Sequence, residues 1–339
     1  MVDGNRSLPL KGAAAATAIA GTITLLCHAR RRRLDLARRA NPLAKEAVIG
    51  LGVPAESRFV QAGDLQLHTI LAGPEDGHLA ILLHGFPECW YSWRHQIPAL
   101  AEAGYRVAVP DQRGYNLSDK PRGVQHYRID QLTADILAFI HTLGRNRATL
   151  IAHDWGGAAA WRFAMDYPEA VKRLVVMNAP HPVALAKALR SDWSQRLRSW
   201  YMFFFQLPWL PESLLTLWPR VSARLFFRRT AVRRSAFSDA DLEVMAAALA
   251  QPDAMKCMID WYRAGFRFRP RRRAAVIEAP TLVVWAEDDL YLGKALTEGL
   301  DRWVSDLEIH YIADCGHWVQ NEAPDAVNEK LLAFLQRTE

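Results

Sequence analysis

The stretch that decides the fold is Leu150-Ile151-Ala152-His153-Asp154-Trp155-Gly156-Gly157. An apolar run typical of a buried strand leads into one acidic residue with small neighbours, and a helical pattern follows. This order predicts a sharp turn from strand to helix that exposes the central side chain above a parallel sheet. Small residues at positions 152, 156 and 157 suit such a turn because backbone segments crowd there. The exposed side chain is the carboxylate of Asp154.

The identity of that side chain restricts the chemistry. A carboxylate that attacks an ester carbonyl would form a reactive anhydride. A carboxylate that attacks an electrophilic sp³ carbon forms an alkyl ester, which water can then cleave. A nucleophilic Asp154 therefore favours epoxides or alkyl halides over esters and amides. The structural alternative, in which Asp154 only caps the next helix, does not require the small neighbours.

Short apolar runs alternate with helical patterns around this turn, which predicts a parallel sheet with crossover helices. The eight predicted strands cover residues 58–61, 65–71, 79–83, 105–109, 148–152, 173–177, 281–285 and 308–312. Helical patterns lie between them, for example at 129–143 and 157–166. Residues 181–275 are helical in pattern and rich in aromatic residues. We therefore expect an α/β core, formed by residues 55–180 and 276–339, with a helical cap inserted between its two parts.

The first 54 residues form an N-terminal extension to this core. Residues 1–45 hold nine Lys and Arg against two acidic residues, so they account for the formal charge of +6 and leave the rest of the chain nearly neutral. We therefore expect no nucleic-acid partner. Residues 12–29 lack charged side chains and precede Arg30 to Arg33. That pattern predicts a membrane anchor with the catalytic part in the cytosol.

The apolar segment is short and only weakly hydrophobic for a membrane span. A targeting peptide and a soluble tail on a cytoplasmic protein are therefore the alternatives. Composition indicates a globular chain, with 50% hydrophobic and 23% charged residues, and excludes a disordered or fibrous one. The four cysteines are scattered, without the spacing of a zinc site or a disulfide framework. We expect neither a metal nor an organic cofactor.

Further motifs accompany the turn in a fixed order. They are His84-Gly85-Phe86-Pro87-Glu88, Asp111-Gln112-Arg113-Gly114-Tyr115, Trp261-Tyr262-Arg263 and Gly316-His317-Trp318. From about residue 55 to the C-terminus, the chain resembles the α/β-hydrolase fold, and specifically the epoxide hydrolases of the membrane-anchored branch that includes epoxide hydrolases 3 and 4. This resemblance implies a mostly parallel eight-stranded sheet with an inserted helical cap. It also implies that water converts a small hydrophobic epoxide into a vicinal diol.

The resemblance assigns the charged residues of the site. Asp154 corresponds to the nucleophile that forms the alkyl ester, and His317 corresponds to the base that activates water. Asp289 corresponds to the acid that orients His317, with Asp288 or Glu287 as the fallback. The chain order of nucleophile, acid and histidine is the order that this fold uses.

The resemblance also assigns the groups that hold developing charge. The backbone N–H groups of Phe86 and Trp155 would form an oxyanion hole. Tyr201 and Tyr262 would be the paired cap tyrosines that hold the epoxide oxygen. A hydroxyl with a pKa near 10 can donate a proton to a far more basic alkoxide. Either tyrosine could instead be part of the aromatic packing of the cap.

Two other functions fit parts of the pattern. A haloalkane dehalogenase uses the same aspartate and histidine, and in such an enzyme Trp155 would help to bind halide. A ligand-binding protein on a hydrolase fold would need no nucleophile, base and orienting acid together. The complete set of residues therefore favours an enzyme over a binding protein. Phe86, where dehalogenases usually carry Asn or another residue, and the tyrosine pair, which they lack, favour the epoxide hydrolase.

Overall fold

The computed structural model describes residues 42–337, with side chains from residue 46 onward. The predicted anchor at residues 12–29 lies outside the described part. Between residues 42 and 337 no helix is both long enough and apolar enough to cross a bilayer. Within the same range, no three His, Cys, Asp or Glu side chains converge in a way that would hold a metal ion.

All eight predicted strands are present, and they form one sheet. They are β1 (Ala55–Ala62), β2 (Leu65–Ala72), β3 (Leu79–Leu83), β4 (Arg106–Pro110), β5 (Ala148–His153), β6 (Val171–Met177), β7 (Thr281–Ala286) and β8 (Leu307–Ile312). The order across the sheet is β1-β2-β4-β3-β5-β6-β7-β8. The β1–β2 and β2–β4 pairs are antiparallel, and every other pair is parallel. The prediction of a mostly parallel eight-stranded sheet is therefore confirmed.

Helices cover both faces of the sheet, so most residues of the central strands are buried. All residues of β3, β5 and β7 are buried, as their continuous apolar runs predict. The helices of this core are α1 (Pro42–Ile49), α2 (Gln96–Glu102), α3 (Ile129–Thr142), α4 (Asp154–Asp166), α12 (Val319–Glu322) and α13 (Pro324–Leu335). Helix α4 begins at Asp154, three residues before the predicted start at residue 157. The acidic residue of the turn is therefore also the first residue of the helix.

Between β6 and β7 the described chain contains helices and no strand. These helices are α5 (Pro182–Ser191), α6 (Trp193–Arg198), α7 (Trp200–Phe204), α8 (Leu210–Thr216), α9 (Pro219–Ala223), α10 (Asp239–Leu249) and α11 (Ala254–Arg267). We call residues 182–267 the helical insertion. Because β6 and β7 are neighbours in the sheet, this segment leaves and rejoins the sheet at adjacent strands.

The strand order explains where a site can form. Strand β3 lies between β4 and β5, so the chain reverses its direction of progress across the sheet at β3. Ligands of open α/β sheets bind beyond the carboxyl ends of the strands at such a reversal. The loop that starts at His84 follows β3, and Asp154 follows β5. Both segments therefore meet at this point.

Candidate active site

The turn after β5 has the tight backbone that the sequence predicts. Asp154 has a φ of +49°, in the left-handed region that non-glycine residues rarely adopt. A Cβ atom at Gly156 would lie 2.2 Å from the carbonyl oxygen of Leu83, and one at Gly157 would lie 2.3 Å from the Cβ of Ala179. Any larger residue at these positions would collide with β3 or with the segment after β6. The glycines therefore allow the turn to hold Asp154 above the sheet.

The Asp154 carboxylate faces two different environments. Its Oδ1 accepts a 2.8 Å hydrogen bond from the backbone N–H of Phe86. Its Oδ2 lies 3.7 Å from Nε2 of His317, beyond the range of a direct hydrogen bond. The side chain is 13% exposed. One carboxylate oxygen is thus held by the backbone, and the other is available for attack.

The loop after β3 is shaped around this carboxylate. A Cβ at Gly85 would lie 2.4 Å from the Cβ of Asp154 and 2.6 Å from its Oδ1. Glycine is therefore required for the close approach that brings the Phe86 N–H to the carboxylate. Trp155 is the second residue of α4, so its N–H has no partner within the helix. These are the two N–H groups that the sequence predicts for an oxyanion hole.

His317 is oriented by Asp289 and not by either fallback residue. Its Nδ1–H donates to Oδ2 of Asp289 over 2.7 Å, and both side chains are buried. Asp288 is exposed, and Glu287 pairs with Lys294 at the surface. The structure therefore places Asp289, the first choice of the sequence analysis, against His317.

Asp289 is surrounded by donors. Its Oδ2 also accepts from the side-chain amide of Asn178 over 2.7 Å, and its Oδ1 accepts from the N–H groups of Tyr291 and Leu292 over 2.7 and 3.0 Å. Burial opposes the negative charge of Asp289. His317 and these hydrogen bonds outweigh the burial and lower the pKa of Asp289 below its usual value. The acid therefore stays ionised beside the histidine.

Two carboxylates control the charge of His317. Burial disfavours the cation, but Asp289, and to a smaller extent Asp154, raise the pKa of His317 from 6.5 to about 9. With Asp154 ionised, His317 is consequently a cation at neutral pH. Any change that neutralises Asp154 removes part of this stabilisation and lowers the pKa of His317.

Both predicted tyrosines lie opposite Asp154. Tyr201 is on α7 and Tyr262 is on α11, and their ring centroids are 5.8 Å apart. The Tyr262 ring also packs edge-on against Phe86 and Trp155, with centroids 5.1 and 5.0 Å apart. Burial, followed by nearby groups that include Asp154, raises the pKa of both tyrosines well above 10. Both hydroxyls therefore remain protonated donors at neutral pH.

These groups line one cavity of about 150 Å³. Its polar groups are Asp154, His317 and three tyrosines, Tyr201, Tyr262 and Tyr291. The other lining residues are apolar: Phe86, Pro87, Trp200, Phe204, Phe205, Leu215, Phe226 and Trp318. An apolar cavity with a few convergent polar groups is typical of a site for a small hydrophobic molecule.

A buried hydrogen-bonded pair, Glu88 and His153, supports the site from below, and the sequence analysis assigned no role to Glu88. Glu88 accepts from Nδ1–H of His153 over 2.8 Å and from the N–H of Gly85 over 3.0 Å. Nε2–H of His153 donates to the carbonyl oxygen of His317 over 2.9 Å. Burial opposes the charge of Glu88, but His153 and the other donors lower its pKa to about 2.

The sequence analysis missed three more residues that support the site. Asn178 and Tyr291 bond Asp289, and Asn178 also accepts from the N–H of Ala286 through Oδ1. Glu322 accepts from the backbone N–H groups of Gly316 and Trp318, on either side of the histidine, over 3.1 and 3.3 Å. Their signal in the sequence is weak, because each is a single polar residue near a motif. The position of Tyr291, two residues after Asp289, was the clearest available signal.

Comparison with known proteins agrees with this fold and site. Residues 81–324 match the family described as the alpha/beta hydrolase fold, and the chain belongs to that family. It is 37% identical over 285 residues to the AB hydrolase superfamily protein YfhM of Bacillus subtilis, covering 82% of this chain and 97% of that protein. It is 35% identical over 303 residues to human Epoxide hydrolase 4, covering 88% and 83% of the two chains.

Solved structures place the chain in the same family. The structure of a Bacillus megaterium epoxide hydrolase in complex with an inhibitor superimposes with a TM-score of 0.75, at 29% identity, over 83% of this chain and all of that one. An epoxide hydrolase from metagenomes of hot environments superimposes with a TM-score of 0.74, at 34% identity, over 84% and 99% of the two chains. Within the α/β-hydrolase family, the chain therefore belongs among the epoxide hydrolases.

Proposed function

We propose that this protein hydrolyses epoxides to vicinal diols through a covalent alkyl ester on Asp154. The observation that carries the proposal is the arrangement of one cavity, in which the partly buried carboxylate of Asp154 lies opposite two tyrosines. A carboxylate can attack the ring carbon while hydroxyl donors stabilise the departing oxygen. The relatives named epoxide hydrolases support the same substrate class.

In the first step Oδ2 of Asp154 attacks an epoxide carbon, and the ring carbon–oxygen bond breaks. The departing oxygen receives a hydrogen bond and then a proton from Tyr201 or Tyr262. Because Oδ1 is held by the Phe86 N–H, Oδ2 is the oxygen that is free to form the ester. The high pKa of the tyrosines keeps them protonated until an alkoxide, a far stronger base, develops beside them.

The second step depends on a change in His317. Alkylation neutralises Asp154 and thus removes one of the negative charges that raise the pKa of His317. The imidazolium then gives its Nε2 proton to the tyrosinate left by the first step, and the neutral Nε2 can accept a proton from water. Asp289 keeps the remaining ring proton on Nδ1 and stabilises the imidazolium that forms.

The activated water attacks the ester carbonyl of Asp154. Negative charge develops on Oδ1, where the N–H groups of Phe86 and Trp155 can stabilise it. The tetrahedral intermediate then expels the alkoxide of the diol, which takes the proton of the new carboxylic acid. His317 keeps the proton that it took from water and is again the cation beside the ionised Asp154, so one water is consumed and the free enzyme returns.

The helical insertion acts as the cap of this enzyme. It supplies Tyr201, Tyr262 and most of the apolar lining, and the core supplies Asp154, Asp289 and His317. The substrate class is therefore a small hydrophobic epoxide, with water as the second reactant. No residue in the proposed steps requires a cofactor.

The N-terminal segment carries a separate part of the proposal. Residues 12–29 attach the chain to a membrane, and the arginines at 30–33 keep the catalytic part in the cytosol. Carbonate extraction tests this attachment. Retention of the chain in the membrane pellet is expected, and release into the supernatant would contradict it.

An assay of substrate classes tests the activity against the dehalogenase alternative. In that alternative the Trp155 side chain binds halide, whereas here it hydrogen-bonds Tyr262. We expect diol from an aryl or fatty epoxide and no halide from a haloalkane. Asp154→Asn should abolish diol formation, and the matched variant Asp301→Asn, at an exposed site, should not. Halide release that depends on Asp154, without diol formation, would overturn the proposal.

A further inference from the structure

The helical insertion exposes far more apolar surface than the rest of the described chain. Of eighteen large apolar side chains that are exposed within residues 46–337, eleven lie between residues 193 and 225. Four of these are tryptophans, Trp193, Trp200, Trp209 and Trp218, each at least 61% exposed. Exposed apolar patches of this size mark surfaces that bind a partner or a membrane. We call these eleven side chains the apolar face.

The apolar face is continuous across several helices. Helices α5, α6 and α7 pack against one another in sequence, and α8 packs against both α9 and α11. The Phe203 ring on α7 contacts the Phe266 ring on α11, with centroids 5.5 Å apart. This contact joins the two groups of helices into one surface.

The mouth of the active-site cavity opens on the apolar face. Trp200 lines the cavity and is also 61% exposed. Leu215 lines the cavity from α8, between the exposed residues Leu214 and Leu217. A molecule that entered the cavity would therefore cross this apolar surface.

The charge around the apolar face is positive. Residues 182–230 contain eight Lys and Arg against two acidic residues, and three of these arginines, Arg220, Arg224 and Arg228, pair with Glu243 or Asp239 beyond this range. Lys187 and Arg190 are exposed, and neither forms an ion pair with a carboxylate of the described residues. The Arg196 guanidinium lies 5.2 Å from the centroid of the Trp193 ring. Exposed tryptophan beside arginine and lysine is the composition of helices that lie in the interface of an anionic membrane.

We propose that the apolar face docks on an anionic lipid surface and turns the mouth of the cavity toward the acyl chains. The tryptophans insert at the level of the headgroups, and the basic side chains contact lipid phosphates. Lipid is favoured over a protein partner because the unpaired cations of α5 lie next to the apolar side chains of α6, against which α5 packs. The docking does not depend on the proposed activity or on residues 12–29.

A local probe on the full-length chain tests this docking. In a Cys27→Ser background the remaining cysteines, Cys89, Cys257 and Cys315, are buried. Leu217→Cys therefore gives one exposed thiol for an environment-sensitive fluorophore. Val276→Cys is the matched control, because Val276 is 53% exposed, against 60% for Leu217. Val276 also precedes the amino end of β7, whereas the cavity lies at the carboxyl ends of the strands.

The expected result is a blue shift of the Leu217→Cys probe with phosphatidylglycerol vesicles and little change with phosphatidylcholine alone. Val276→Cys should not respond to either. The response should weaken at about 1 M NaCl, where the screening length is about 3 Å. A Leu217→Cys probe that stays in water while the chain binds vesicles would show attachment by another segment and overturn the proposal.

A second variant tests the exposed rings through the same local probe. Trp193→Ser, Trp209→Ser and Trp218→Ser together remove three exposed rings that do not line the cavity. The blue shift of the Leu217→Cys probe with phosphatidylglycerol vesicles should be largely lost in this variant, with an unchanged midpoint of thermal unfolding, whether or not residues 12–29 hold the chain on the vesicle. An unchanged blue shift would overturn the proposal. Self-association that this variant abolishes, without any vesicle response, would assign the face to a second copy of the chain.

Discussion

Replacing Asp289 by asparagine should separate the two chemical steps. The carboxylate accepts four hydrogen bonds, from His317, Asn178, and the N–H groups of Tyr291 and Leu292. Each oxygen accepts two of them, so the amide nitrogen of asparagine must face donors in either orientation. Where the amide NH₂ faces the Nδ1–H of His317, two donors point at each other. This repulsion is relieved if the imidazole moves its proton from Nδ1 to Nε2. In that tautomer Nε2 can no longer accept a proton from water.

The size of the effect follows from the pKa of His317. The carboxylates raise it from 6.5 to about 9, a difference worth about 3 kcal/mol, and Asp289 is the larger of the two contributors. The same substitution in a serine hydrolase lowers kcat about 10⁴-fold through the wrong tautomer. We therefore expect ester hydrolysis in Asp289→Asn to slow by about 10² to 10⁴-fold. Alkylation of Asp154 should change by less than about threefold, because it does not use the base.

Rapid mixing under single-turnover conditions measures both rates. The alkyl-enzyme should accumulate in Asp289→Asn and appear by intact mass spectrometry as a covalent adduct on Asp154. Asp288→Asn is the matched control, because Asp288 is adjacent but exposed, and it should behave as the unmodified chain. Equal slowing of both steps in a folded Asp289→Asn variant would refute the reasoning. So would slow turnover without an adduct.

Three further predictions follow from the same geometry. Tyr262→Phe removes one of two hydroxyl donors and should slow alkylation by about 10² to 10³-fold, the usual cost of losing one such donor, while ester hydrolysis stays nearly constant. An unchanged alkylation rate would exclude Tyr262 from ring opening. The raised pKa of His317 should make the fold lose about 3 kcal/mol of stability as pH rises from 6.5 through about 9, because the cation is favoured only in the folded state. Urea unfolding at both ends of this range should show that loss in the unmodified chain and not in His317→Gln, and equal losses in both would contradict it. Gly85→Ala should lower the free energy of unfolding by about 1 to 3 kcal/mol and reduce activity, since its Cβ would lie 2.4 Å from that of Asp154. An unchanged midpoint of thermal unfolding, with full activity, would show that the loop after β3 can move to accommodate the methyl group.

The sheet was predictable because each strand is a local pattern. Buried parallel strands read as continuous apolar runs, and the bounds of the eight strands differ from the prediction by at most three residues. The turn at Asp154 was predictable for a similar reason. Its small residues are adjacent in the sequence, so the pattern is visible there even though the clashes that they avoid are with β3 and with the segment after β6.

The supporting polar residues were not predictable in the same way. Glu88 bonds Gln320, which is 232 residues away, and Glu322 bonds the N–H of Arg233 in the helical insertion. No local pattern indicates such partners. Asn178 is a single residue whose role depends on Asp289, 111 residues later. The resemblance to a known family therefore predicted the residues of the site. The supporting residues that hydrogen-bond them could be identified only from the structure.

The expected membrane anchor at residues 12–29 lies outside the described residues, so it stays a prediction. The exposed tryptophans of the helical insertion were part of an aromatic stretch in the sequence. Their exposure depends on tertiary packing, because aromatic side chains in such a stretch could equally have formed the interior of a cap. The proposed docking of the apolar face could therefore be argued only from the structure.

The most direct measurement of the central claim is one turnover in ¹⁸O-labelled water with enzyme in excess over an aryl or fatty epoxide. The first diol oxygen should come from the Asp154 carboxylate, so the diol should be unlabelled. The peptide that contains Asp154 should gain one ¹⁸O, because water attacks its carbonyl carbon. Label in the diol after the first turnover, with none in Asp154, would contradict the covalent mechanism.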